Sequence, residues 1–326
     1  MNGICTLGND YVFDQLIALL NSIDVMLGKE IPVCIYPFDD QTQRIADEIV
    51  KRPNVFLYDN QESINRWDKF MLEASPASMN KNKYRIYGGH RRFCAFDGPF
   101  DRFVYLDADT LVMNSLDLVF QTLDEYNCVV YDFQFKHPDK VYNTNSVKLL
   151  QVFDESHIKK EIFCSGFYAS KKGLFEQDKL ETLLSYLRAG EKEILYPTGD
   201  QPVINYMFMR SGIPVYNFAH NLPNHQITGN AVISEHFEEK DKILYDKGNR
   251  LTYLHYIGIP PNINQAVCAG ENIEFPYRDL FLHYRYLHEP DKRPVFQNPP
   301  KNYNDAAVVP NLLTRALRKL KLINQG

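Results

Sequence analysis

The stretch FVYLDADTLV, residues 103–112, runs four apolar residues into two carboxylates, Asp107 and Asp109, separated by a single alanine. Four consecutive apolar residues read as a strand covered on both faces, which places the two aspartates just past its C-terminal end. Open α/β sheets bind their ligands along that edge. Two chemistries suit such a pair. It can hold a hard divalent cation against a diphosphate, because oxygen ligands suit Mg²⁺ or Mn²⁺. Alternatively, Asp107 is a nucleophile and Asp109 its acid/base partner.

The flanking sequence sets the architecture. Residues 3–7 read as a strand, and Asn9 or Asp10 can cap a helix in which Phe13, Leu16, Ile17, Leu20 and Ile23 keep helical spacing. A strand at 32–36, a helix at 41–51 and a strand at 54–58 follow, then a polar, irregular stretch over 60–82. Residues 103–106 form the fourth strand. Beyond it come a helix at 116–126, a strand at 128–133, a strand-like segment at 162–170, helices at 174–188 and 201–210, and strands at 213–218 and 251–256. Strands alternating with helices imply an α/β fold with a mostly parallel central sheet, right-handed crossovers and flanking helices. We expect one domain over 1–259 and a C-terminal helical extension over 260–326, which is richer in proline and asparagine.

Composition narrows the function classes. The chain has 326 residues, 44% of them hydrophobic, enough for a large buried core. A net charge of -5 argues against general nucleic-acid binding, which needs a broad positive field. The six cysteines contain no CxxC pair and lie mostly in apolar runs, which fits a reduced, cytoplasmic compartment. Neither a signal-peptide pattern nor a run of about 18 apolar residues is present, so no exported or membrane-spanning form is expected.

The nucleophile alternative has a pattern of its own, since an apolar strand followed by DxDxT opens the haloacid dehalogenase-type phosphatases. That opening normally stands on the first strand, whereas here 106 residues precede Asp107 and no later acidic metal motif completes the site. No GxxxxGK[ST] loop is present for a P-loop either. The metal–diphosphate reading is the one that survives.

Further along, ICTLGNDYV, FCSGFYAS, PTGDQPVIN and LHYIG stand in order with YLDADTLV. Together they resemble the retaining glycosyltransferases of family 8, the group of glycogenin and the lipopolysaccharide galactosyltransferases, over roughly residues 3–258. The resemblance implies a GT-A nucleotide-diphospho-sugar transferase fold. It also implies a nucleotide-sugar donor, UDP-glucose or UDP-galactose by family habit, and transfer to a glycan, lipid or other hydroxyl acceptor with retention of configuration. By the same resemblance Thr6, Leu7, Asn9 and Tyr11 belong to the nucleotide site, and Arg91, Ala108, Ser165, Gly166 and Gly258 contact the donor. Asp107, Asp109 and His255 hold Mn²⁺ or Mg²⁺, and Asp200 with Gln201 serve the reacting sugar.

Physical arguments stand beside several of these positions. His255 closes an apolar strand, where its imidazole is either a core group or a third metal ligand. Gly166 lets the backbone approach a sugar closely. Asp200 opens a helix, where aspartate is commonly only a cap, yet an Asp-Gln pair also matches the paired donors and acceptors of a pyranose. One of Arg91 and Arg92 can neutralise phosphate charge. Two departures from the family pattern stand out. Pro261 occupies the place of a lysine that contacts the diphosphate, and Cys164 replaces an asparagine before Ser-Gly. Trp67, the sole tryptophan, is a core residue or a stacking surface for an acceptor sugar. The tail LLTRALRKLKL carries Arg315, Arg318, Lys319 and Lys321 opposite a leucine face, a pattern that suits either docking on the protein or peripheral contact with an anionic membrane. The sequence leaves open association into a homo-oligomer.

Overall fold

In a computed structural model of the chain, residues 1–79 and 88–307 are described. A seven-stranded sheet lies at the centre, built from β1 (Asn2–Gly8), β2 (Val33–Pro37), β3 (Val55–Leu57), β4 (Arg102–Asp107), β6 (Cys128–Val130), β7 (Phe167–Lys171) and β8 (Val215–Asn217), with the short β5 (Thr110–Val112) outside it. The strand order is β3-β2-β1-β4-β7-β6-β8. Strands β1 to β4 run parallel, β7 is antiparallel to both β4 and β6, and β8 is parallel to β6. The sheet is therefore mostly parallel, as the alternation of elements implies. Because β7 reverses between two strands of equal direction, β4 and β6 end at the same edge.

Strand residues alternate between two cores, as the twofold period of a strand requires. Cys5, Leu7, Phe103, Tyr105 and Tyr168 face helices Gln61–Ala74, Gln177–Arg188 and Gln201–Arg210. Ile4, Val104, Leu106, Phe167 and Ala169 face helix Phe13–Leu27 and its neighbours.

The stretch expected to be irregular, 60–82, instead contains helix Gln61–Ala74. Asn60 caps it by accepting from the Ser63 amide at 3.1 Å, and Ile64, Trp67, Phe70, Met71 and Ala74 form its buried stripe. Its polar face hid a regular three- and four-residue apolar spacing. Trp67 is fully buried and donates through Nε1 to Asp97 at 2.8 Å, so it fills the core and offers no stacking face. The arginine-bearing segment before β4 is a 3₁₀ helix, Gly89–Phe96.

A third core gathers the C-terminal part of the chain. After a three-stranded ribbon of β9 (Glu238–Lys240), β10 (Ile243–Asp246) and β11 (Asn249–Arg250), strand β12 (Tyr253–His255) pairs antiparallel with β5. Helices Pro261–Cys268 and Arg278–Arg285 follow, and Ile263, Leu280, Phe281 and Tyr284 pack with Leu111, Leu254 and Ala18 of helix Phe13–Leu27. Asn21 Nδ2 donates to the Tyr284 carbonyl at 2.7 Å, and Arg285 pairs with Asp14 at 2.6 Å. The segment after residue 260 is thus sealed onto the first helix of the sheet domain. The expected basic tail helix, 310–326, lies outside the described residues. None of the described helices is long and apolar enough to cross a membrane, and all six cysteines are unpaired.

Candidate active site

Strand β4 delivers Asp107 to the sheet edge, and the chain turns at once into β5, where the Thr110 hydroxyl donates to the Asp107 carbonyl at 2.7 Å. The turn leaves both aspartates at the edge. Pairing of β5 with β12 sets His255 opposite Thr110, and the Tyr256 amide donates to the Asp109 carbonyl at 2.8 Å. One ligand atom each from Asp107, Asp109 and His255 consequently lie within 4.8 Å of one another. Two carboxylates and one imidazole at that spacing form an oxygen-rich set that fits Mn²⁺ or Mg²⁺.

The charges at this cluster are mutually adjusted. His255 Nε2 lies 3.2 Å from Asp109. Burial works to raise Asp109, but the adjacent imidazole outweighs it and holds the carboxyl below its ordinary range. Burial works to lower His255, and Asp109 reverses that, leaving the imidazole well above its usual value. Asp107 is pushed up, by burial first, against the pull of Arg92.

Arg92 organises the rest. Buried in the 3₁₀ segment, it donates through Nη1 to the Ser165 carbonyl at 2.7 Å and lies 3.1 Å from Asp107. Its Nε, 2.8 Å from Asp200 Oδ2, directs its proton to the Gly89 carbonyl at 3.0 Å. Asp200 Oδ2 is therefore buried beside a positive charge without an aligned hydrogen bond. Asp200 stands at the start of helix Gln201–Arg210 but makes no side-chain cap there. Gln201 accepts the Ser165 amide at 3.2 Å, which ties the Asp-Gln turn to the Ser-Gly turn. Arg91 points elsewhere, pairing with Asp68 at 3.0 Å and donating to the Pro37 carbonyl at 3.3 Å.

Gly166 is packed between these groups. A Cβ there would sit 2.5 Å from His255 Cε1 and 2.9 Å from Asp107 Oδ2, so only glycine leaves the cluster undisturbed.

A cleft of about 370 Å³ opens beside the cluster, lined by Leu7, Asn9, Tyr11, Gln15, Phe38, Arg92, Asp107, Ala108, Asp109 and the turn from Gly258 to Pro261. Asn9 is fixed for this position, accepting the Tyr11 amide at 3.2 Å and donating to Asp39 at 2.9 Å. Gly258 takes a φ of 90°, a conformation natural to glycine, where the chain swings from β12 into helix Pro261–Cys268. Of the residues singled out in the sequence, Leu7, Asn9, Tyr11, Ala108 and Gly258 meet at this cleft with the two aspartates. Thr6 is wholly buried within β1, while Ser165, Gly166, Asp200 and Gln201 gather around Arg92 and Asp107.

Asp132 escaped the sequence reading. It follows β6 at the same edge, is nearly buried, and accepts backbone N–H groups from Gln134 at 2.7 Å and Cys164 at 3.1 Å. Burial pushes its carboxyl up to about 7. The signal was present: a carboxylate directly after the apolar run CVVY repeats the logic of Asp107.

The fold, its cleft at the strand ends and the acidic cluster define a glycosyltransferase of the GT-A class, which takes a nucleotide-sugar donor and an acceptor. The chain belongs to glycosyl transferase family 8, whose model matches residues 5–260. Among solved structures it is similar to the galactosyltransferase LgtC in complex with donor and acceptor sugar analogues, at 15% identity over 79% of this chain and 87% of that one, with a TM-score of 0.52. It is also similar to the bifunctional glycosyltransferase WbbM, at 15% identity over 90% of this chain and 51% of that one, with a TM-score of 0.51. At such identities the likeness concerns the fold. A search by sequence among curated proteins finds no match. The family membership leaves the dehalogenase-type phosphatase reading without support.

Proposed function

We propose that the protein transfers a hexose, glucose or galactose, from a UDP-sugar to an acceptor hydroxyl on a glycan or lipid, with retention of anomeric configuration and dependence on Mn²⁺ or Mg²⁺. The observation that carries this reading is the Asp107, Asp109 and His255 cluster at the mouth of the cleft. A divalent cation held by these three residues would supply fixed positive charge where the diphosphate leaves, worth several kcal/mol in metal-assisted reactions generally.

The chain's own groups take the remaining roles. Leu7, Asn9 and Tyr11 form the wall for the nucleoside, with Ala108 beside them. Arg92 fixes Asp107 and Asp200 on one guanidinium, so the metal-binding carboxylate and the sugar-facing carboxylate keep a set separation. Asp200 is suited to stabilise positive charge developing on the sugar ring, and Gln201 holds the Ser165–Gly166 backbone against it. The departing phosphate can accept the proton of the incoming hydroxyl. The unpaired cysteines support a reducing compartment, the cytoplasm.

The test is thermal stability of the purified protein against nucleotides and nucleotide sugars, with Mn²⁺ and with EDTA, followed by NMR of the product's anomeric configuration. A rise in melting temperature with UDP and its sugars that disappears in EDTA is expected, because ligand binding stabilises by mass action. Binding without turnover over any acceptor class would reduce the protein to a nucleotide-sugar binder. No shift with any nucleotide would overturn the donor reading.

A further inference from the structure

Packing alone does not explain the hydroxyl of Tyr105. This residue lies within β4 and is fully buried. Its ring stacks on that of Tyr168 across the β4–β7 pair, with centroids 5.1 Å apart and planes 21° apart, and it joins a core that holds Phe93, Phe96, Phe103 and Phe163. A phenylalanine would fill the same place. A hydroxyl taken out of water is costly unless it is bonded, and this one donates to Asp107 Oδ1 at 2.9 Å. Positions i and i+2 of a strand share a face, so β4 by itself brings the two side chains together.

Asp107 is thereby left with two unlike oxygens. Oδ1 takes the Tyr105 hydroxyl, and Arg92 Nη1 lies 3.1 Å from the same atom. The guanidinium also covers the Tyr105 ring, 4.8 Å from its centroid, so the three side chains hold one another. Oδ2 accepts no hydrogen bond from the described residues and stands beside Gly166 and the His255 ring: a Cβ on Gly166 would lie 2.9 Å from this oxygen and 2.5 Å from His255 Cε1. The number of oxygens a carboxylate offers bears on which cation it suits. Ca²⁺ takes about six to eight oxygens and readily accepts both from one carboxylate, whereas Mg²⁺ demands a near-ideal octahedral shell, the arrangement that also suits Mn²⁺.

We propose that Tyr105 is a positioning residue that holds Asp107 to single-oxygen binding, and so biases the Asp107, Asp109 and His255 cluster toward Mn²⁺ or Mg²⁺ and against Ca²⁺. The inference rests on the metal reading above. With Oδ1 occupied by the hydroxyl, the cluster supplies one atom from each of its three residues, and the other positions of an octahedral ion stay open to the donor's diphosphate and to water. Hydrogen-bond partners of metal ligands orient them and tune the affinity of the site. Here the partner comes from the same strand as the ligand.

The experiment is calorimetric titration of Mn²⁺ and of Ca²⁺, each with and without UDP, into wild type, Tyr105→Phe and Tyr168→Phe, with melting temperatures of the metal-free proteins alongside. Tyr105→Phe should bind Mn²⁺ about tenfold more weakly, in keeping with the loss of one partner of a metal ligand, while Ca²⁺ binds as before or tighter because Oδ1 is released. Tyr168→Phe removes a neighbouring hydroxyl that reaches only the Arg92 carbonyl, at 3.5 Å, and should match wild type for both ions. The ratio of the two affinities decides even where Tyr105→Phe melts early, because an unfolded fraction lowers both equally. A ratio in Tyr105→Phe equal to that of wild type, or one that falls as far in Tyr168→Phe, overturns the assignment and leaves the metal reading intact. Wild type that binds neither ion, with or without UDP, overturns that reading and the assignment with it.

Discussion

Gly166 lies so close to His255 that a methyl group on its α-carbon would sit 2.5 Å from Cε1 of the imidazole. The contact is set by the tertiary fold, since Gly166 precedes β7 and His255 ends β12. Gly166→Ala must displace His255, Asp107 or the β7 turn. We expect a folded protein whose Mn²⁺ affinity falls at least tenfold by calorimetry, with transfer reduced in proportion. Unchanged Mn²⁺ affinity would remove His255 from the ligand set.

Asp109→Asn tests the cluster by charge. Asn keeps the shape and removes the carboxylate that holds His255 protonated. A histidine raised by its partner contributes stability below its unfolded value, and loses it as pH rises through the folded one. In metal-free protein, Asp109→Asn should therefore lose stability chiefly at acid to neutral pH and converge on wild type in alkali. Transfer should drop by about two orders of magnitude or more. Retention of full activity would sink the metal assignment.

Arg92 and Arg91 are adjacent in sequence and differ in what they hold. Arg92→Met leaves two half-buried carboxylates, Asp107 and Asp200, without their shared counter-charge, a loss of up to about 3–5 kcal/mol for a broken buried pair, and frees the Ser165 carbonyl. Arg91→Met breaks a single pair with Asp68, which keeps His90 Nε2 at 2.7 Å as a second partner. Urea denaturation should show a loss several times larger for Arg92→Met. Comparable losses would mean that the guanidinium between the two aspartates does not organise the site.

Asp132, raised to about 7 in the folded protein from an ordinary 3.8, has the opposite linkage to a salt-bridged carboxylate. Between those values the folded protein binds a proton that the unfolded chain has released, so stability falls as pH rises from about 4 to about 7. Asp132→Asn should flatten that slope, by an amount on the order of a few kcal/mol across the window. Urea midpoints at pH 5 and pH 8 measure it. An unchanged slope would assign the pH dependence to another group.

A chain ending at residue 259 loses Leu280, Phe281, Leu282 and Tyr284, all but fully buried, together with the Arg285–Asp14 pair. At about 1.5–3 kcal/mol for each large side chain, the loss rivals the whole stability of an ordinary domain. Such a chain should be insoluble or lack a cooperative melt. A well-folded truncation would show that the extension is a separable domain.

The apolar run 103–106 declared a strand buried on both faces, and with the preceding alternation it determined a mostly parallel sheet with both aspartates at its ligand-binding edge. Those properties are local, fixed by side-chain periodicity within about ten residues. Helix Gln61–Ala74 was equally local and was obscured by its polar face, although Ile64, Trp67, Phe70 and Met71 keep the spacing. The role of Arg92 could not be read from the chain, because adjacent arginines have the same local chemistry. Their separation depends on the 3₁₀ turn that carries one guanidinium inward to Asp107 and Asp200 and leaves the other on Asp68. The closeness of Gly166 to His255 and the burial that raises Asp132 likewise arise only when distant segments pack. Desolvation and close approach belong to the assembled fold, and no stretch of sequence contains them.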